Sequence, residues 1–240
     1  MDEKKHGLQL TGNQLKIIAI AAMTLDHCVA VFMPQDMAGR WILRMLGRMA
    51  APIMCYLIAE GYHHTSNLKK YMGRLLLVAV ISHIPYNLCF GYDVWRFWEA
   101  TDVMVALFAG LAALAAFEKK ELPLWLRLFI VAGCCLFAYS ANWNYIAVLW
   151  ILGFGVFYGN VRMQMVSFAA VACLFLLLPF IYGMSLSYTS YIRRFGVFLV
   201  IPLLLCYSGR RGRQSRLLKW AFYWFYPVHL WIIYLVQQFA

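Results

Sequence analysis

The stretch LFIVAGCCLFAYSANWNYIAVLWILGFGVFYGNV, residues 128–161, contains no Asp, Glu, Lys or Arg, and neither does MQMVSFAAVACLFLLLPFIYGMSLSYTSYI, residues 163–192. Apolar runs of this kind recur along the whole chain. They are continuous, whereas the strands of a transmembrane β-barrel would alternate apolar and polar residues over about 10 positions. Runs this long fit helices, which satisfy every backbone N–H and C=O within the segment and therefore tolerate a solvent that offers no hydrogen bonds. The composition agrees: 64% of the residues are hydrophobic and 13% charged, against about 25% charged in a soluble domain. The fold class expected is all-α, a polytopic transmembrane helical bundle forming one integral membrane domain over residues 1–240.

Nine spans are expected, at roughly 14–33, 41–61, 72–90, 102–117, 124–141, 145–159, 164–182, 191–208 and 220–238, with eight and ten as the bounding alternatives. The fourth and sixth are short, about 22–24 Å of helix, and are candidates for broken or half-buried segments. The net charge of +11 does not mark a nucleic-acid surface, because the basic residues punctuate the apolar runs instead of forming one patch. The seven cysteines lie within apolar segments without a CxxC pair, so neither a disulfide framework nor a metal site is expected. The start, MDEKKHGLQLTGNQLK (1–16), is polar and is not followed by a small-residue cleavage site, which argues against a removed signal peptide.

Loop charges give the orientation. With the N-terminus inside, fifteen Lys and Arg fall in inner segments, from Lys4, Lys5 and Lys16 to Arg210, Arg211, Arg213, Arg216 and Lys219. The outer segments hold Arg40, Arg44, Arg96, Arg193 and Arg194, with Arg48 inside a span. This bias predicts a cytoplasmic N-terminus and an outer C-terminus. Trp95, Trp98, Trp125, Trp143 and Trp220 fall near predicted span ends, as an aromatic belt requires.

Ionisable residues inside spans are costly, about 2.5–3.5 kcal/mol at a helix centre, and mark functional candidates. Counted at about 1.5 Å per residue from the inner ends, Asp26, His27, Arg48, His83 and His229 share one layer near mid-membrane. Asp26 is expected to pair with Arg48 across the first two helices, either as a clamp or as part of a site. Arg44 and Arg48, four apart, are expected to face one side. His27 is a candidate base, although adjacent Asp26 points about 100° away on a helix. His229 follows Pro227, and a backbone carbonyl freed by that proline is an alternative partner for its ring.

Taken together, LKIIAIAAMTLDH (15–27), LRMLGRMAAP (43–52), LIAEG (57–61), KKYMGRLLLVAVISHIPYNL (69–88), IPLLLCYSGRRGRQ (201–214) and FYWFYPVHL (222–230) resemble the TraX family of membrane proteins, named for the acetylation of a conjugative F-type pilin. The family's polar positions fall on Lys16, Asp26, His27, Arg44, Gly47, Arg48, Glu60, Gly61, Pro85, Arg211, Gly212, Tyr226, Pro227 and His229; His83 stands where members commonly carry an acid. The resemblance implies a bacterial cytoplasmic-membrane acetyltransferase. It would move an acetyl group from cytoplasmic acetyl-CoA to a membrane-associated acceptor: a pilin-like peptide N-terminus, a cell-surface glycan or a lipid. It implies no metal and no nucleic acid. In that reading His27 or His229 is the base, Asp26 positions it, and Arg48 stabilises an oxyanion or pairs with Asp26. Arg210, Arg211, Arg213, Lys16 and Arg44 would bind the donor; without the resemblance, the loop Ser208–Arg216 reads as an ordinary positive-inside loop. Transfer is either direct or through Cys28. A proton-coupled transporter and a non-catalytic assembly factor are the alternatives carried forward.

Overall fold

Helix occupies each of the nine predicted positions in the computed structural model, which describes residues 9–213 and 215–239; no strand occurs among these residues. Lys4, Lys5 and Gln214 lie outside the described residues, as does the side chain of Arg216. The elements are α1 (Gly12–Phe32), α2 (Arg40–Gly47), α3 (Ala50–His64), α4 (Leu68–Phe90), α5 (Val103–Phe117), α6 (Leu124–Phe137), α7 (Asn144–Val156) and α8 (Val161–Ile181). There follow α9 (Tyr188–Ile192), a 3-10 helix (Arg193–Leu199), α10 (Val200–Leu205) and α11 (Arg216–Phe239).

Two predicted spans are interrupted, and prolines account for both. The second divides at Arg48–Met49 into α2 and α3. Pro52, in the first turn of α3, has no N–H for the Arg48 carbonyl four residues back, and its ring crowds that carbonyl. The eighth tightens into the 3-10 segment just before Pro202, which withholds a hydrogen bond from Phe198 in the same way.

Among the described residues, five segments are long and apolar enough to cross a membrane: Gly12–Phe32, Arg40–His64, Leu68–Phe90, Val161–Ile181 and Tyr188–Leu205. The exterior of the bundle suits that medium. Leu77, Val80 and Ile84 on α4, Val166 and Phe180 on α8, and Ile232, Leu235 and Val236 on α11 are all exposed. Water would not solvate so much contiguous apolar surface, whereas lipid does. Trp95, Trp98 and Trp125 are exposed as belt residues should be. Trp143 departs from that expectation: it is half-buried, has a left-handed backbone (φ 67°) and packs beside Trp150 and Phe175.

Two of the three short helices, α5 and α7, are the centre of the bundle, while α6 is largely exposed. Leu107, Leu111 and Leu114 of α5 and Ile146, Ile151 and Phe154 of α7 are almost wholly buried. A helix that neighbours shield on every side need not itself match the bilayer thickness. Small residues let α5 and α7 approach: a Cβ on Gly110 would collide with Ile151, and one on Gly155 with Leu114. The start of α1 is set by a capping box, in which the Thr11 hydroxyl accepts from the Gln14 N–H and the Gln14 side chain accepts from the Thr11 N–H.

Gly110→Leu is therefore expected to destabilise the fold by about 1–3 kcal/mol through overpacking, read as a lower midpoint of thermal unfolding in detergent. Gly133→Ala, at a helical glycine with open space around it, should leave the midpoint unchanged or raise it, by at most about 1 kcal/mol.

Candidate active site

Asp26 lies two turns from the end of α1, and its side chain fits because residue 47 is glycine: a Cβ there would come within 2.5 Å of the Asp26 Cβ. Docked in this notch, Asp26 pairs with Arg44. The Arg44 Nη1 lies 3.0 Å from Oδ2 and also donates to the Asp26 backbone carbonyl at 2.8 Å. This corrects the expected Asp26–Arg48 pair. Arg48 sits beyond the end of α2, with its guanidinium 5.2 Å above the Trp143 ring. Arg44 and Arg48 thus have separate partners, although they lie one helical turn apart.

His27, next along α1, turns toward α11. Its Nδ1 lies 2.8 Å from Nε2 of His229, with the two rings nearly coplanar at 7°, and both residues are buried. The His229 Nδ1 is 3.0 Å from the Phe225 carbonyl. A carbonyl only accepts, so His229 carries its proton on Nδ1 and its Nε2 is an acceptor. With both rings neutral, His27 donates from Nδ1, and the Nε2 of His27 holds the pair's free lone pair. The Phe225 carbonyl is not the one Pro227 frees, which is that of Tyr223 four residues back; the ring answers to helix geometry, not to the proline. Asp26 does not orient His27, because His229 does. His83, assigned by height to the same layer, instead contacts the Val94 carbonyl at 2.9 Å and stacks on Phe97.

A second polar region lies at the face where α1 begins. The segment after α10 is tied to that helix start. Gly12 N donates to the Arg210 carbonyl and Asn13 N to that of Arg211, while the Asn13 side chain donates to the Arg213 carbonyl at 2.6 Å. Gly212 makes the turn with φ +81°, a region in which any side chain would be strained and would press on Thr11 and Asn13. Arg211 and Arg213 thereby border a cavity of about 650 Å³, together with Lys16, Arg74 and Lys219. Arg74 and Lys219, two of the fifteen inner-segment charges, belong with this group. Glu60 adds one carboxylate, which accepts from the Tyr207 hydroxyl at 3.3 Å.

The cavity continues between Met23, Met54, Leu57 and Leu107 to Phe225 and Tyr226. The Tyr226 ring lies 6.5 Å from that of His27 and 5.4 Å from that of His229. Cations around the entrance suit phosphates, and an apolar passage suits an uncharged arm, so these residues fit a donor such as acetyl-CoA. Of the donor-binding residues expected from sequence, Lys16, Arg211 and Arg213 share this cavity. Arg210 contributes only a backbone contact, and Arg44 lies about 15 Å farther along α1, at its partner Asp26. Among the described residues no cluster of His, Cys, Asp and Glu is suited to hold a metal ion.

A family model described as TraX protein matches residues 11–237. Over 237 residues the chain is 30% identical to a protein of Dichelobacter nodosus named probable fimbrial assembly protein FimC, serogroup H1, a match covering 94% of this chain and 95% of the relative. It is 21% identical over 163 residues to an uncharacterized protein, RP591, of Rickettsia prowazekii (strain Madrid E), covering 65% of this chain and 60% of that one. No solved structure matches the chain.

The ion pair is open to a double-mutant cycle. Asp26→Asn and Arg44→Gln are each expected to destabilise by about 1–3 kcal/mol, since each leaves a half-buried charged partner without its hydrogen bonds. Their coupling should fall within about 0.5–3 kcal/mol, whereas Asp26→Asn with Arg48→Gln should be additive to within about 0.5 kcal/mol. Unfolding in a graded denaturing detergent measures both.

Proposed function

Because the chain belongs to the TraX family, we propose that it is a membrane acetyltransferase that takes an acetyl group from acetyl-CoA and passes it to a membrane-associated acceptor. The observation that carries this reading is one continuous cavity. It opens among five cations and runs inward to Tyr226, whose ring separates it from the buried His27–His229 pair. The loop charges favour the bacterial cytoplasmic membrane, with the N-terminus and the cationic entrance facing the cytoplasm, where the donor is made.

The roles follow from residue chemistry. Lys16, Arg74, Arg211, Arg213 and Lys219 hold phosphate oxygens through charge-assisted hydrogen bonds. Acetyl-CoA supplies an acyl group already activated as a thioester. His27 takes the acceptor's proton with its Nε2 lone pair as the acceptor bonds to the acetyl carbon, and returns that proton to the CoA sulfur as the thioester C–S bond breaks. His229, anchored on the Phe225 carbonyl, keeps the other nitrogen of His27 protonated and the ring in place. The +1 charge that develops on His27 is buried, and Asp26 lies one residue away, its own charge already matched by Arg44. The acceptor is a pilin-like peptide N-terminus, a glycan or a lipid. The peptide is favoured by the Dichelobacter nodosus relative, whose name assigns it to fimbrial assembly.

That same name favours a second reading, a non-catalytic part in fimbrial or pilus assembly. Purified protein in proteoliposomes separates the two. Radiolabelled acetyl groups should pass from acetyl-CoA to a membrane acceptor, and His27→Ala should lower the rate by about 10²–10⁴-fold while the protein stays folded. Undiminished transfer in that variant removes His27 as the base. Arg211→Gln with Arg213→Gln should weaken CoA binding in calorimetry by about tenfold or more. Absence of CoA binding in the wild type, with retention of a pilin-like subunit on purification, would favour the assembly reading.

A further inference from the structure

At the opposite end of α1 from the cavity, five arginines gather around one paired carboxylate. Arg40, Arg44 and Arg48 come from the second helical segment, and Arg193 and Arg194 from the 3-10 helix. The two backbones meet tightly: a Cβ on Gly196 would overlap the Met45 carbonyl. Arg44, Arg193 and Arg194 all lie within electrostatic reach of Arg48. Among the described residues the only ion pair any of the five makes is Arg44 with Asp26. Arg96 provides the contrast: also on the sparsely basic face, it is offset by Asp93 at 3.4 Å and Glu99 at 2.6 Å.

Arg40, Arg48 and Arg194 are held in place by contacts that leave their charge unmatched. Arg194 donates to the Phe175 carbonyl at 2.6 Å, the carbonyl that Pro179 cannot bond because it lacks an N–H. Its guanidinium also lies 4.3 Å from the Phe175 ring, which meets Trp143, the ring beneath Arg48. Two cations thus bracket two aromatic rings. The Arg40 guanidinium spends its donors on the Met33 and Ala30 carbonyls. The Nε atoms of Arg44 and Arg48 are buried and have no hydrogen-bond partner. Such a charge surplus at the edge of an apolar bundle calls for a counter-anion.

Beside Arg194 is a pocket of about 360 Å³, lined also by Asn144, Tyr139, Tyr145 and Tyr182, the last two with hydroxyls 3.2 Å apart. Arg194 is the one arginine of the five that lines it, with Arg193 and Arg48 within electrostatic reach behind. We propose that this pocket, under the field of the arginine cluster, binds a phosphate-bearing group, carried either by a lipid headgroup or by a soluble molecule. A single carboxylate would offset one of the unmatched charges. A phosphate offers several oxygens to forked guanidiniums, and a monoester carries more charge as well, with Asn144 and the tyrosine hydroxyls as further donors. The site is separate from the donor cavity and does not rest on the acetyl-transfer reading.

The test uses the whole protein, stripped of lipid in neutral detergent. One arm follows phosphatidylglycerol retention by native mass spectrometry after reconstitution into phosphatidylcholine nanodiscs with or without it. The other titrates inorganic phosphate and glucose 1-phosphate calorimetrically. Saturable binding of at least one probe is expected, weakened by about tenfold or more in Arg193→Gln/Arg194→Gln. Binding confined to phosphatidylglycerol assigns the lipid source; binding of either soluble probe assigns the other. Arg193→Lys/Arg194→Lys keeps the charge and the fold but loses the forks, and should still bind several-fold more weakly. Arg162→Gln, which removes an exposed charge elsewhere, should bind as the wild type does. No saturable binding of any probe, equal affinity in the wild type and both double variants, or an equal loss in Arg162→Gln would overturn the proposal.

Discussion

The contact between Gly47 and Asp26 governs the polar interior of this bundle. In a medium without water, a carboxylate on a spanning helix must find its partner within the protein. The missing Cβ at position 47 lets Asp26 sit against α2, where Arg44 reaches both its carboxylate and its backbone carbonyl. With that direction on α1 committed to Asp26, the next residue necessarily faces elsewhere, about 100° around the helix. It is this rotation that gives His27 to α11 and His229. Arg48, relieved of the carboxylate, turns to Trp143. One glycine therefore decides how two arginines and two imidazoles find their partners.

Prolines determine most of what remains irregular. Pro52 divides the second segment, Pro202 follows the 3-10 turn, and Pro179 frees the carbonyl that Arg194 occupies. Only at Pro179 does an arginine take up the lost bond, since the freed Phe175 carbonyl accepts from Arg194. In water such a gap would be filled by solvent. In an apolar bundle this one becomes a place where a long donor side chain is fixed.

Much of this architecture was legible in the sequence. Continuous apolar runs gave the helices and their order, because a spanning backbone has few alternatives. The rise per residue gave the heights of Asp26, His27 and His229 correctly enough to put them in one layer. Height is not azimuth, however, and a single sequence carries little information on which faces of two helices meet. That is why Asp26 was paired with Arg48 when its partner is Arg44, and why His83, at a suitable height, belongs instead to the loop beyond α4. The break at Arg48–Met49 did have a signal, since Pro52 lies within LRMLGRMAAP. Reading it required attention to the carbonyl four residues earlier. Arg74 and Lys219 were visible only as topology charges, because the cavity that unites them with Lys16 forms when α1, α4 and α11 pack together.

The two ends of α1 pose different electrostatic problems. At its start, five cations surround a cavity, and the loop bearing Arg211 and Arg213 is held by backbone hydrogen bonds, so those charges are positioned before any ligand arrives. At its far end, guanidiniums are braced on carbonyls and aromatic rings, with one carboxylate among five. Between them the histidine pair is neutral in its donor and acceptor pattern, and takes up one proton with no nearby carboxylate free to match it. On the acetyl-transfer reading, a base in that setting holds its added proton without a counter-charge of its own, which suits a proton that is taken and passed on within one turnover.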